Sequence, residues 1–141
     1  MGDRGNIKII DGSGDAIYVY GHWWGSDLPD VARRALVAAD MKDAHGNRWD
    51  DAGYLSTFVV RQMDDQKDAW PGCAISGHVL DNEYPIIVLD TRDRTVRIAD
   101  FDWRIRAEME RENHWTMREL ASSEDPSSLL SWTGGRCDGP A

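Results

Sequence analysis

The apolar positions of this chain follow two different periods, and the changes between them outline the elements. Ile7 to Ile10 reads as a short strand, Asp11-Gly12-Ser13-Gly14-Asp15 as a turn, and Ala16 to Tyr20 as a second strand. The chain therefore opens as a β-hairpin. Gly21 breaks the strand, and the period then lengthens. Leu28, Val31, Ala32, Ala35, Leu36 and Ala39 recur at helical spacing, with Ser26 as N-cap and Asp27 and Asp30 at the positive end of the helix. Ala44-His45-Gly46-Asn47 closes that element. Asp50 or Asp51 caps a second helix, which places Tyr54, Leu55, Phe58, Val59 and Met63 on one face. It ends near Asp64-Asp65, ahead of the Trp70-Pro71-Gly72 loop.

From Cys73 the period shortens again. Ala74 to Leu80 alternates, Asp81-Asn82-Glu83 is a polar turn, and Tyr84 to Leu89 is nearly all apolar, as a strand covered on both faces is. Pro85 stands at the start of that run, where a strand tolerates proline. Thr95 to Phe101 returns after a turn, and the three strands read as an antiparallel meander. Trp103 to Glu112 fits two descriptions. Trp103, Ile105, Ala107 and Met109 alternate, whereas Arg104/Glu108 and Arg106/Glu110 pair at helical spacing, and the residue types favour helix. Thr116-Met117-Arg118-Glu119 is a capping box, flanked by Trp115 and Leu120 as a hydrophobic staple, and predicts a short helix to about Ser122. Leu129, Leu130 and Trp132 dock a last turn. The prediction is an α+β domain over 1–132: an antiparallel sheet of about five strands, two main helices on one face and a short C-terminal helix, with 133–141 as a flexible tail.

Composition narrows the function classes. The 141 residues carry a formal net charge of -9, which disfavours nucleic acid and anionic lipid as partners. Two cysteines make no disulfide framework, and no apolar run is long enough to span a bilayer, so a cytoplasmic protein without membrane attachment is expected. No Cys-x-x-Cys, H-x-x-H, P-loop or nucleophile elbow occurs, so neither a metal nor another cofactor is expected and no residue is assigned a catalytic role.

The candidate chemistry centres on Gly21-His22-Trp23-Trp24-Gly25, where the hairpin hands over to the helix. Seven tryptophans are many for this length, and indoles are enriched at interfaces. Trp23 and Trp24 are the candidate anchors for a partner, with Asp81 and Glu83 as an acidic border. Arg4, His22, Arg48 and Arg61 are the candidate ligand residues, since arginine beside aromatics suits a planar anion such as a nucleotide messenger. Each has a plainer reading: rim-sealing tryptophans, a β-turn at Asp81-Asn82-Glu83, arginines paired within the protein, and a histidine that ties hairpin to helix. Carboxylates of Asp50 or Glu83 converging on His22 would make a small hydrolase.

Several rare residues fall in a recognisable order: Met1-Gly2-Asp3-Arg4-Gly5-Asn6-Ile7, His22-Trp23-Trp24-Gly25, Leu28-Pro29, Arg48-Trp49-Asp50-Asp51, Tyr54-Leu55 and Asp81-Asn82-Glu83-Tyr84-Pro85-Ile86. Over roughly positions 1–98 the chain resembles a family of small, functionally uncharacterised proteins of bacteriophages and bacterial genomes. Trp24 stands where the pattern has a small residue, and Trp103–Asn113 is an insert. The resemblance implies a phage or prophage accessory protein, while the aromatic, acid-bordered surface leads to the expectation of a non-enzymatic protein of the host cytoplasm that binds a host or phage macromolecule such as a protein, with a homodimer as a further option. The resemblance implies no activity.

Overall fold

A computed structural model describes residues 2–64 and 70–132. Six strands form one sheet in the order β3-β2-β1-β4-β5-β6. β1 (Gly5–Ile10) and β2 (Ala16–Gly21) are the expected hairpin, in register from Gly5↔Gly21 to Ile10↔Ala16. β3 (Cys73–Ser76) adds antiparallel to β2 and forms one edge. β4 (Ile86–Asp90) lies on the other side of β1 and parallel to it, with Ile7 opposite Ile87. β5 (Thr95–Asp102) and β6 (Ala107–Thr116) follow antiparallel and end at the second edge.

The fold is thus α+β and mostly antiparallel, and it departs from the sequence reading in having six strands, in their order and in the stretch before the capping box. The expected meander does not form, because β3 pairs with the opening hairpin while β4 inserts beside β1. The stretch 103–112 is not a helix: Trp103–Arg106 turn, and the rest is β6. The charge spacing that suggested a helix serves contacts across the sheet instead. Arg111 makes two hydrogen bonds to the Asp100 carboxylate, at 2.8 and 2.9 Å, and Glu108 takes the ammonium of Lys8 at 3.0 Å.

α1 (Leu28–Ala39) and α2 (Ala52–Met63) pack on one face, where Ile7, Ile9, Val19, Ile87, Leu89, Val96 and Ile98 meet them in the main core. All six apolar positions expected of the first helix are buried. Ser26 does not cap that helix. It sits in a 3-10 turn (Gly25–Asp27), where its amide and hydroxyl both donate to the Asp3 carboxylate. Asp51 caps α2 by accepting from the Tyr54 amide. Tyr54 itself points outward, and Ala52, Leu55, Ser56, Val59 and Met63 form the buried side. The capping box at Thr116 and Glu119 is complete and opens α3 (Met117–Ala121). α4 (Pro126–Leu129) then brings Trp132 back to the core. The expected tail, 133–141, lies outside the described residues.

The other face carries a smaller cluster of Ile10, Ile86, Val88 and Ala99, with Val79 and Phe101 against it. Glu108 reaches both Lys8 on β1 and the hydroxyl of Tyr18 on β2. In a flat sheet of this order β6 and β1 would be three strand spacings apart, roughly 14 Å. The β5–β6 hairpin therefore coils over the open face, helped by the irregular register between Arg97 and Ala99.

Candidate functional site

The strand-to-helix junction is held by backbone bonds on both sides. The His22 amide donates to the Gly72 carbonyl at 2.9 Å, the Asp3 amide to the His22 carbonyl at 2.8 Å, and the Gly25 amide to the Asp3 carbonyl at 2.8 Å. Gly25 lies under the ring of Tyr84, which stacks on Trp132 with centroids 5.9 Å apart, and the Trp132 indole N–H donates to the Gly25 carbonyl. No side chain fits at that position. The loop that presents the aromatic residues is therefore rigid at both ends.

Three rings meet there. The His22 and Trp23 centroids are 4.6 Å apart, His22 and Trp70 5.3 Å, and Trp23 and Trp70 5.1 Å, each pair edge to face. Trp23 rests on Gly72, whose φ of +71° and missing Cβ let the ring approach. Trp23 remains 49% exposed and Trp70 58%. The rings are too close together to admit a cation between them as an aromatic cage does. What they offer is an outward apolar surface with fixed geometry. Trp24 is half-buried and packs on the core. Trp70, remote in sequence, is the partner that the sequence reading did not assign; its one local signal is the Trp-Pro-Gly turn.

Beside this triad the polar residues pair with one another. The Tyr20 hydroxyl and His22 Nδ1 share a hydrogen bond of 2.7 Å. Burial, and then the charge of Asp81, hold the Tyr20 phenol above its usual range, so it stays neutral. Arg4 lies 3.3 Å from Asp81 and 3.8 Å from Glu83. Asn6, fully buried, donates to the Leu80 carbonyl and to Asn82 Oδ1 and accepts from the Leu80 amide, which fixes the loop that carries the acids. Arg4, Asp81 and Glu83 thus form one cluster, although the sequence reading divided them between a ligand and a partner role.

The remaining candidates lie elsewhere. The Arg48 amide donates to the Ala39 carbonyl, at the end of α1 away from His22. Twelve helical residues separate the two ends, roughly 18 Å. The Arg48 guanidinium lies over Tyr54, and that of Arg61 over Phe58. Asp50 is at the same far end, in a two-point pair with Arg94 at 2.6 and 2.8 Å. No group of three or more metal-ligating side chains exists among the described residues. The Cys73 thiol is raised by burial and by the charge of Asp64. None of the described helices is long and apolar enough to cross a membrane. Compared with models of known families, with curated proteins and with solved structures, the chain gives no match.

Proposed function

We propose that this is a non-enzymatic binding protein of the phage accessory type, and that it contacts a protein partner of the host or phage through Trp23, Trp70 and His22. The observation that carries the reading is the half-exposed pair of indoles, locked edge to face on a glycine and a doubly anchored loop. A protein covers such rings when it can, and rigid aromatic anchors are what protein interfaces use. Asp81, 68% exposed at its side chain beside its partner Arg4, borders the surface, and the net charge of -9 sets a preference for cationic partners. Trp24 contributes by supporting the loop from below.

The anionic-ligand reading is weaker, because Arg4 is engaged by carboxylates while Arg48 and Arg61 stack on rings of the helices. The hydrolase reading is weaker too, because Asp50 pairs at the far end, Glu83 is engaged with Arg4 and His22 bonds to a phenol. The test is affinity capture from host lysate with the wild type and with Trp23→Ala/Trp70→Ala. The double variant should fold, keep its melting temperature within a few degrees and lose the captured protein. Capture that survives in the double variant refutes the surface.

A further inference from the structure

The two edges of the sheet are treated differently. β6 is long, carries Glu108, Glu110, Arg111 and Glu112, and breaks register with β5, where Arg97 faces His114 but Ala99 faces Glu110. Charge and irregularity are how an edge is kept from pairing with a foreign strand. β3 has neither device. The run from Trp70 to Leu80 contains no Asp, Glu, Lys or Arg, and Ile75 is 64% exposed.

Its free backbone groups can be assigned. The His22 amide bonds to the Gly72 carbonyl, and the same register pairs Gly21 with Cys73, Tyr20 with Ala74 and Val19 with Ile75. Bonded and non-bonded pairs alternate along an antiparallel ladder. Ala74 and Ser76 therefore turn their amides and carbonyls toward β2. Cys73 and Ile75 turn theirs away from β2, to the side where no strand pairs with them among the described residues. Trp23, seated on Gly72, and Trp70 stand at the head of that edge.

We infer that β3 accepts an extended, basic peptide segment of a partner protein as a seventh strand, with apolar side chains of that segment laid against Trp23 and Trp70. This rests on the binding surface proposed above and names what occupies it. The edge exposes backbone donors and acceptors that only another extended chain matches. The charge of the segment follows from its surroundings: the protein as a whole carries -9, the field of Asp64 reaches the Cys73 thiol, and Asp81, exposed beside its partner Arg4, follows the uncharged run. The same charge makes a second copy of this chain the poorer occupant.

The test is selection of a random 12-residue peptide display library on the immobilised full chain. Selected peptides are then measured against three variants. Ile75→Pro removes an outward amide and leaves the bonds to β2 intact, because proline is tolerated on an edge strand. Ile75→Thr controls for the side chain, and Trp23→Ala/Trp70→Ala for the rings. Hydrogen exchange checks that each variant is folded. The expected peptides alternate β-branched residues with Lys or Arg, protect the Cys73 and Ile75 amides from exchange, and lose at least tenfold in affinity with Ile75→Pro but under threefold with Ile75→Thr. Peptides that need the indoles yet ignore Ile75→Pro overturn strand addition and leave the aromatic surface standing. Peptides that need the Ile75 amide but not the indoles support the added strand and remove the rings from the surface. Selection of acidic peptides, of none, or self-association of the chain that Ile75→Pro abolishes overturns the inference.

Discussion

A carboxylate ties the coiled β5–β6 hairpin to β1 and β2 on the open face, and Glu108→Ala measures that attachment. Lys8 and Glu108 are 18% and 20% exposed at their side chains, so the pair is about four-fifths withdrawn from water. Exposed pairs contribute about 0–1 kcal/mol, and removing one partner of a fully buried pair costs about 3–5 kcal/mol. Tyr18 loses its acceptor as well, worth about 1 kcal/mol, whereas the long Lys8 side chain can swing its ammonium out to water. The expected loss for Glu108→Ala is therefore about 2–3 kcal/mol, or about 6–10 °C in melting temperature for a domain of this size. Glu108→Gln keeps an acceptor for the phenol and should cost about 1 kcal/mol. Urea unfolding followed by tryptophan fluorescence supplies the numbers. A loss below about 0.5 kcal/mol for Glu108→Ala would show that the hairpin lies over the sheet without needing this contact.

The same contact predicts an alkaline limb. Burial first, and then the hydrogen bond and charge of Glu108, raise the Tyr18 phenol above its ordinary value. A group whose folded value is raised stabilises the fold fully below its unfolded value, near 10, and loses that contribution as pH climbs toward the folded one. Wild type should therefore lose stability above about pH 10. Glu108→Gln, in which burial alone acts on the phenol, should lose less over the same interval.

At the acid end Asp90, 1% exposed at its side chain, is held at about 2 by hydrogen bonds from Arg92 and Arg97, so its contribution of about 2 kcal/mol is present above pH 4 and disappears as pH falls toward 2. Asp90→Asn should flatten that acid limb in a pH series of urea titrations. Gly72→Ala would place a methyl 2.7 Å from the Trp23 ring at a φ of +71°, and should cost about 1–2 kcal/mol while displacing Trp23, seen as a changed near-ultraviolet dichroism. Arg94 has a φ of 58° and pairs with Asp50. Arg94→Gly should stay within about 0.5 kcal/mol of wild type, because relieved backbone strain offsets the lost pair, whereas Arg94→Ala keeps the strain and should lose up to about 1 kcal/mol on thermal unfolding.

What was legible in the sequence was local. The opening hairpin, the apolar stripe of α1 and the capping box at Thr116 each depend on residues a few positions apart, and each formed. Strand order was not legible. Nothing in the run Ile86–Asp90 says that it will lie parallel to Ile7–Ile10, because a strand buried on both faces carries no mark of its neighbours. β6 was misread because Arg104/Glu108 matches a helical pair, whereas Glu108 finds Lys8, a hundred positions away. That Trp23 stands at the strand-to-helix junction was legible from its place between two glycines. Its companion Trp70 was not, because only the pairing of Gly72 with His22 brings them together.

The burial of the tryptophans also bounds what the proposed surface can contribute to binding. The Trp49 and Trp132 indoles each donate to a backbone carbonyl, of Leu36 and Gly25, and are sealed in the core. Trp23 and Trp70 leave about half of their surface open. A tryptophan has about 150–250 Å² to bury, so covering the two open halves removes about 200 Å² from water and contributes about 5 kcal/mol at 25 cal/mol per Å². Association costs at least about 4 kcal/mol in lost freedom of motion, and micromolar binding needs about 8 kcal/mol net. The indoles can orient a partner but cannot hold it alone. Under the strand-addition proposal the missing share comes from the outward amides and carbonyls of Cys73 and Ile75. Binding through this end of the sheet should therefore depend on the rings and the strand together, with the loss of either taking most of the affinity.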